Sequence, residues 1–168
     1  MSAVIIPRED VHTLAEACSE AEDSFKSVAN RLLREQKRLT NFIQKNMPQL
    51  DVGTREVVLY MFAVSLRVFE QYGGRMRKAN GSQIQEASSQ VQGKVAELMP
   101  FDANFPSRVR QVEWRAQPHL LDEILWALFE REEKEEGEVD VPHEQGALIF
   151  LVLWVAVEAL EVCWTPSH

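Results

Sequence analysis

The chain has 168 residues, 45% of them hydrophobic, and its 18 Lys/Arg against 26 Asp/Glu give a formal net charge of −8. That is enough apolar side chain for one ordinary globular domain, which excludes disorder along the whole length, and so acidic a chain is a poor ligand for polyanions as a whole. The charge is uneven: residues 1–80 carry 12 Lys/Arg and 10 Asp/Glu, a net +2, whereas residues 81–168 carry 6 and 16, a net −10.

The first expected element starts near Pro7, a residue suited to a first helical turn, with Glu9 and Asp10 facing the positive end of the helix dipole. Val11, Leu14, Cys18, Ala21, Phe25, Val28 and Leu32 then recur at alternating spacings of 3 and 4, and Leu39 and Phe42 rejoin the seam after Glu35. Ala15, Ala29, Leu33 and Ile43 widen it. Unbroken to Met47, such a helix would be about 60 Å long at about 1.5 Å per residue. A rod of that length overhangs a domain of this size, so its seam is expected to need a second chain. Pro48 is expected to end it.

A second helix is predicted from Thr54 to Tyr72, closed by Gly73 and Gly74. Only a narrow face of Glu56, Tyr60, Ala63, Arg67 and Glu70 interrupts its apolar surface, so it is expected near the centre. After the basic link 75–81, Ser82 and Gln85 resemble a capping box, and Ile84, Ala87, Val91, Val95 and Leu98 give a one-sided stripe. The segment 100–106 is expected as a loop, and Ser107–Gln117 is read as a short helix.

Pro118 opens another helix with Leu121, Ile124, Leu125 and Leu128 inward, running into an acidic turn before Gly137. Val139–Val141 are expected to be extended, and a last helix runs from Pro142 to about Trp164. Ala147–Val157 has no polar side chain except the Trp154 indole, but Glu158 and Glu161 interrupt the run short of the roughly 20 residues a membrane span needs. A buried central helix is the expectation, with no membrane role. The sum is an all-α fold: one helical-bundle domain of about five main helices, the first long, the second and last central.

Two cysteines, Cys18 and Cys163, do not make a disulfide framework, and the opening MSAVIIPRED does not read as a secretory leader, so a cytoplasmic location is expected. No strained nucleophile turn or phosphate-cradling glycine loop occurs, and neither a catalytic group nor a cofactor is expected. Glu9-x-x-His12 is the only Glu-x-x-His step, and His119, Asp122, Glu158 and Glu161 are the remaining candidates for a carboxylate and imidazole metal site inside a bundle. The plainer reading makes them solvated or capping groups.

Arg31, Arg34, Arg38 and Lys45 form a basic stripe beside the seam, able to meet an acidic partner or simply to be solvated, with nucleic acid the weaker fit. The acidic run Glu130, Glu132, Glu133, Glu135, Glu136 and Glu138 offers an intramolecular answer. Trp114, Trp126, Trp154 and Trp164 could line a pocket or pack in a core. The leading expectation is a non-enzymatic interaction or adaptor protein, a homo-oligomer or a binder of another helical protein. Its contact residues would be Val11, Leu14, Phe25, Val28, Leu32, Arg31, Arg34 and Arg38. The alternative is a small helical enzyme or ligand carrier with an internal carboxylate/His site.

Overall fold

The computed structural model describes residues 4–47, 49–130 and 141–167. The helices are α1 (Arg8–Ala21), α2 (Asp23–Glu35), α3 (Lys37–Asn46), α4 (Val52–Tyr72), α5 (Gly81–Gln92), α6 (Val95–Leu98), α7 (Phe105–Arg110), α8 (Pro118–Leu125) and α9 (His143–Cys163), with a π-helical turn at Trp126–Glu130. Two short strands, β1 (Arg75–Met76) and β2 (Trp164–Thr165), pair antiparallel with Arg75 opposite Thr165 and Met76 opposite Trp164. The all-α bundle expected from periodicity is the observed fold.

α9 is the innermost element. From Val152 to Leu160 every residue is buried, and the helix packs on α3, α4, α5 and α8. It is long and apolar enough to cross a membrane, yet most of it lies inside the fold. Burying so continuous an apolar surface is the largest favourable contribution the chain can make, at roughly 25 cal/mol per Å². Gly146 lets it approach the π-helical turn closely, since a Cβ there would lie 3.2 Å from the Phe129 ring. α4 is also central but keeps an exposed strip at Glu56, Tyr60 and Glu70; Ala63, expected on that strip, is buried.

The long first helix is instead three. It breaks at Glu22 (φ 48°, ψ −120°) and at Gln36 (φ −111°, ψ 51°). Both breaks follow the weakest positions of the seam, Ala21 and Glu35, which are exposed. A heptad row drifts by about 20° per repeat on a straight α-helix, so four repeats from Val11 to Leu39 would turn the row about 80° away from its neighbours. Breaking the rod resets that phase. At Gln36 the break is anchored: the buried side chain donates through Nε2 to Arg77 O (2.9 Å) and accepts at Oε1 from Ala79 N–H (3.1 Å). Thr40 Oγ1 donates to the carbonyls of Leu33 and Gln36, on either side of the break. Glu22 sits in a region costly for a residue with a Cβ, by about 1–3 kcal/mol, and no side-chain bond compensates it locally.

Three smaller expectations also shift. The capping box belongs to Asn80 and Gln83, each side chain accepting the other's backbone N–H at 2.9 Å, two residues before Ser82 and Gln85. The following stripe breaks at Gly93–Lys94 into α5 and α6. Of Ser107–Gln117 only the first turn is helical, and the rest folds as turns ending at Gln117, which is left-handed (φ 47°). Asp51 caps α4 by accepting from Thr54 N–H (2.7 Å), and Gly73 and Gly74 end it with φ of 111° and 104°. Pro48, the acidic run beyond Glu130, Gly137 and Val139 lie outside the described residues.

Candidate interaction surface

Val11, Cys18, Phe25, Leu32 and Leu39, one per heptad, are all buried within the single chain. α1 lies on α4 and α8, and α2 lies on α4; Phe25 meets Tyr60 edge-on at 5.8 Å. The second row is half-covered, with Leu14, Val28 and Phe42 of intermediate exposure. Val11, Phe25 and Leu32 are therefore not presented to a second chain, a correction to the expected contact set. The neighbouring helices already cover the row, because the breaks let α1 and α2 lie on α4 and α3 on α9.

The basic stripe divides by role. Arg31 is spent internally, bonding Glu35 (2.7 Å) and both oxygens of Glu70 (2.9 and 3.0 Å), while Arg67 also bonds Glu70. These guanidiniums, Arg31 first, hold the Glu70 carboxyl below its usual range. Arg34 and Lys37 instead line a broad open depression with Ser27, Asn30, Leu33, Thr40 and Asn41, about 780 Å³ in extent. The angle between α2 and α3 puts the concavity there. Arg34, Lys37, Arg38, Lys26 and Lys45 are all exposed and make no ion pair with a described residue. Gln36 holds the basic link against the arm, and Arg38 Nη1 lies 3.6 Å from where a Cβ on Gly81 would stand.

Of the candidate metal ligands, the side chains of Asp122, Glu158 and Glu161 are engaged otherwise. Asp122 pairs with Arg115 (2.8 Å) and lies 3.5 Å from Arg110. Glu158 Oε2 accepts from Ala116 N–H (2.8 Å) and the Trp154 indole (3.1 Å). Glu161 accepts from Gln117 Nε2 (2.9 Å), which also donates to Val4 O (2.7 Å), while Gln117 Oε1 accepts from Ile6 N–H (2.9 Å). Burial pushes both the Glu158 and Glu161 carboxyls up. His119 contributes its backbone carbonyl to Arg8 (3.1 Å). Among the described residues, no group of three or more His, Cys, Asp and Glu side chains is arranged to hold a metal ion.

His12 is held by two carboxylates, Nδ1 at 3.0 Å from Glu123 and Nε2 at 2.9 Å from Glu16. Only the doubly protonated ring donates from both nitrogens, and the Glu123 bond raises the His12 pKa above 6.5. Glu123 Oε2 is 2.8 Å from Arg8 Nη2 without forming a hydrogen bond. The tryptophans do not form one cluster. Trp114 stacks on Trp154 (5.3 Å), Trp126 lies edge-on to His12 (6.2 Å), and Trp164 packs on Phe69 (5.0 Å).

The sequence alone does not single out Gln36, Gln117 or Glu123, because each acts through partners 41 to 115 positions away. The only local signal was a polar residue interrupting or flanking an apolar stripe. No protein-family model, curated protein or solved structure matches the chain.

Proposed function

We propose that this chain is a non-enzymatic helical interaction protein that self-associates by presenting the concave basic face of α2 and α3 to the acidic half of a second copy. The observation that carries the reading is the set of exposed cations around Leu33, with Arg34 and Lys37 lining the depression and no carboxylate among its lining residues. Residues 81–168 supply the complementary charge, 6 Lys/Arg against 16 Asp/Glu. Charge complementarity of this kind sets register and association rate, and the half-buried Leu33 adds apolar contact at the centre. The contact surface is thus the outward side of the arm, with Arg34 and Arg38 retained from the expected set and the buried row left in the core. The reading takes the protein to be cytoplasmic, in keeping with two free cysteines.

Light scattering at rising concentration, in low and high salt, tests it. The expected result is association at low salt that weakens as the screening length falls to about 8 Å near physiological ionic strength. The double variant Arg34→Glu/Lys37→Glu should stay monomeric with an unchanged circular dichroism spectrum, since both side chains are exposed and neither forms an ion pair with a described residue. A strict monomer at high concentration and low salt overturns the proposal. Salt-sensitive binding of a nucleic acid, lost in the same variant, would reassign the face to phosphate.

A further inference from the structure

A second cavity, of about 260 Å³, opens where α2, α4, the link after α4 and the C-terminal strand meet. Its apolar wall is Leu32, Leu66, Phe69 and Trp164, all buried, with the half-buried Met76. Trp164 is fixed there before any ligand arrives, its indole N–H donating to Gly73 O (3.0 Å) and its ring set edge-on to Phe69 at 5.0 Å. The exposed rim carries Glu35, Glu70 and Lys78. The two carboxylates are already matched by the two guanidiniums of Arg31 and Arg67. Lys78 has no partner among the described residues, so the rim has one uncommitted positive charge.

We propose that this cavity binds a small amphipathic monoanion, a carboxylate on one aromatic or branched apolar body, with the Lys78 ammonium taking the carboxylate and the Trp164 ring facing the body. The volume supports that class over a nucleotide or larger cofactor, because pockets for drug-sized ligands span roughly 300–1,000 Å³. The charge tally opposes a cation, which would meet only compensated carboxylates and the Lys78 ammonium. A fixed aromatic wall lowers the ordering cost of binding. The site is separate from the Arg34 and Lys37 depression, so it stands or falls without the self-association.

Titrations followed by ¹H–¹⁵N NMR decide it, with 3-phenylpropionate, its neutral amide 3-phenylpropanamide, and acetate as probes. The Trp164 indole resonance is identified by its loss in Trp164→Phe. The expected result is saturable shifting of that resonance and of the Lys78 amide by millimolar 3-phenylpropionate, at least about tenfold weaker binding of the amide, and no saturation by acetate. Lys78→Met should erase the preference for acid over amide, and Lys78→Arg should retain it; Lys78 is exposed, so both variants should keep the fold intact. Equal binding of acid and amide, shifts centred away from Trp164 and Lys78, or no shift with 3-phenylpropionate each overturn the proposal.

Discussion

α9 and the α1–α3 arm are both rich in apolar side chains, yet one is a straight buried rod and the other a rod broken twice. The difference lies in what surrounds the apolar residues. α9 is apolar on every side from Val152 to Val157, so rotation about its axis costs nothing in burial and no break is needed. The arm is apolar on one row only, and keeping Val11, Phe25 and Leu39 inward over four heptads requires supercoiling or interruption. Periodicity therefore specifies which side is buried. Continuity is settled by polar residues such as Gln36, whose partners lie far along the chain.

The largest expected effect comes from breaking the rod that needs no polar guidance. Trp154→Ala removes a fully buried ring stacked on Trp114 and strips Glu158 of one donor; it should cost about 3–5 kcal/mol, read from the urea midpoint. A loss under about 1 kcal/mol would mean that α9 is not the centre of the core. Next in size, Gln36→Ala leaves Arg77 O and Ala79 N–H without their partner, at about 1–3 kcal/mol, and should speed hydrogen exchange at Ala79. Unchanged stability with slow exchange there would show that the arm bends for another reason.

The smallest effect sharpens how the arm is fastened to α8. His12 has a folded pKa above its unfolded value of 6.5, so its contribution is fully present below 6.5 and is lost as pH rises through the folded value. The stability difference between the native chain and His12→Ala should accordingly shrink with rising pH across that window. A difference that grows with pH would mean the ring is neutral between Glu16 and Glu123. Glu70 works in the opposite sense: its lowered pKa gives stability present above its unfolded value of 4.5 and lost on acidification.

Helical class, the inner position of the last helix, the glycine stop at Gly73–Gly74 and the alignment of Val11, Phe25 and Leu32 in one apolar row were legible, because each follows from local spacing or local backbone freedom; that the chain itself covers that row was not. The breaks at Glu22 and Gln36 were not. A glutamate at positive φ has no sequence signature, and Gln36 reads as one more polar residue until Ala79 is folded beside it. The basic stripe was visible as a row of charges. Which of them remain available depended on Glu70, 39 positions from Arg31, and this is information that helical spacing does not contain. The cavity beside Trp164 draws on four separated stretches, so no window of sequence could outline it.

The innermost helix is also the last in chain order among the described residues. As the chain leaves the ribosome, α3, α5 and α8 emerge with the faces they will turn toward α9 still bare, and Gln117 has not yet met Glu161. The fold closes only when residues 143–163 arrive, so until then the preceding helices keep adhesive surfaces open to neighbours or chaperones. A pause in translation just before residues 143–163 would prolong that exposure, whereas a pause before α3 would leave little apolar surface to protect.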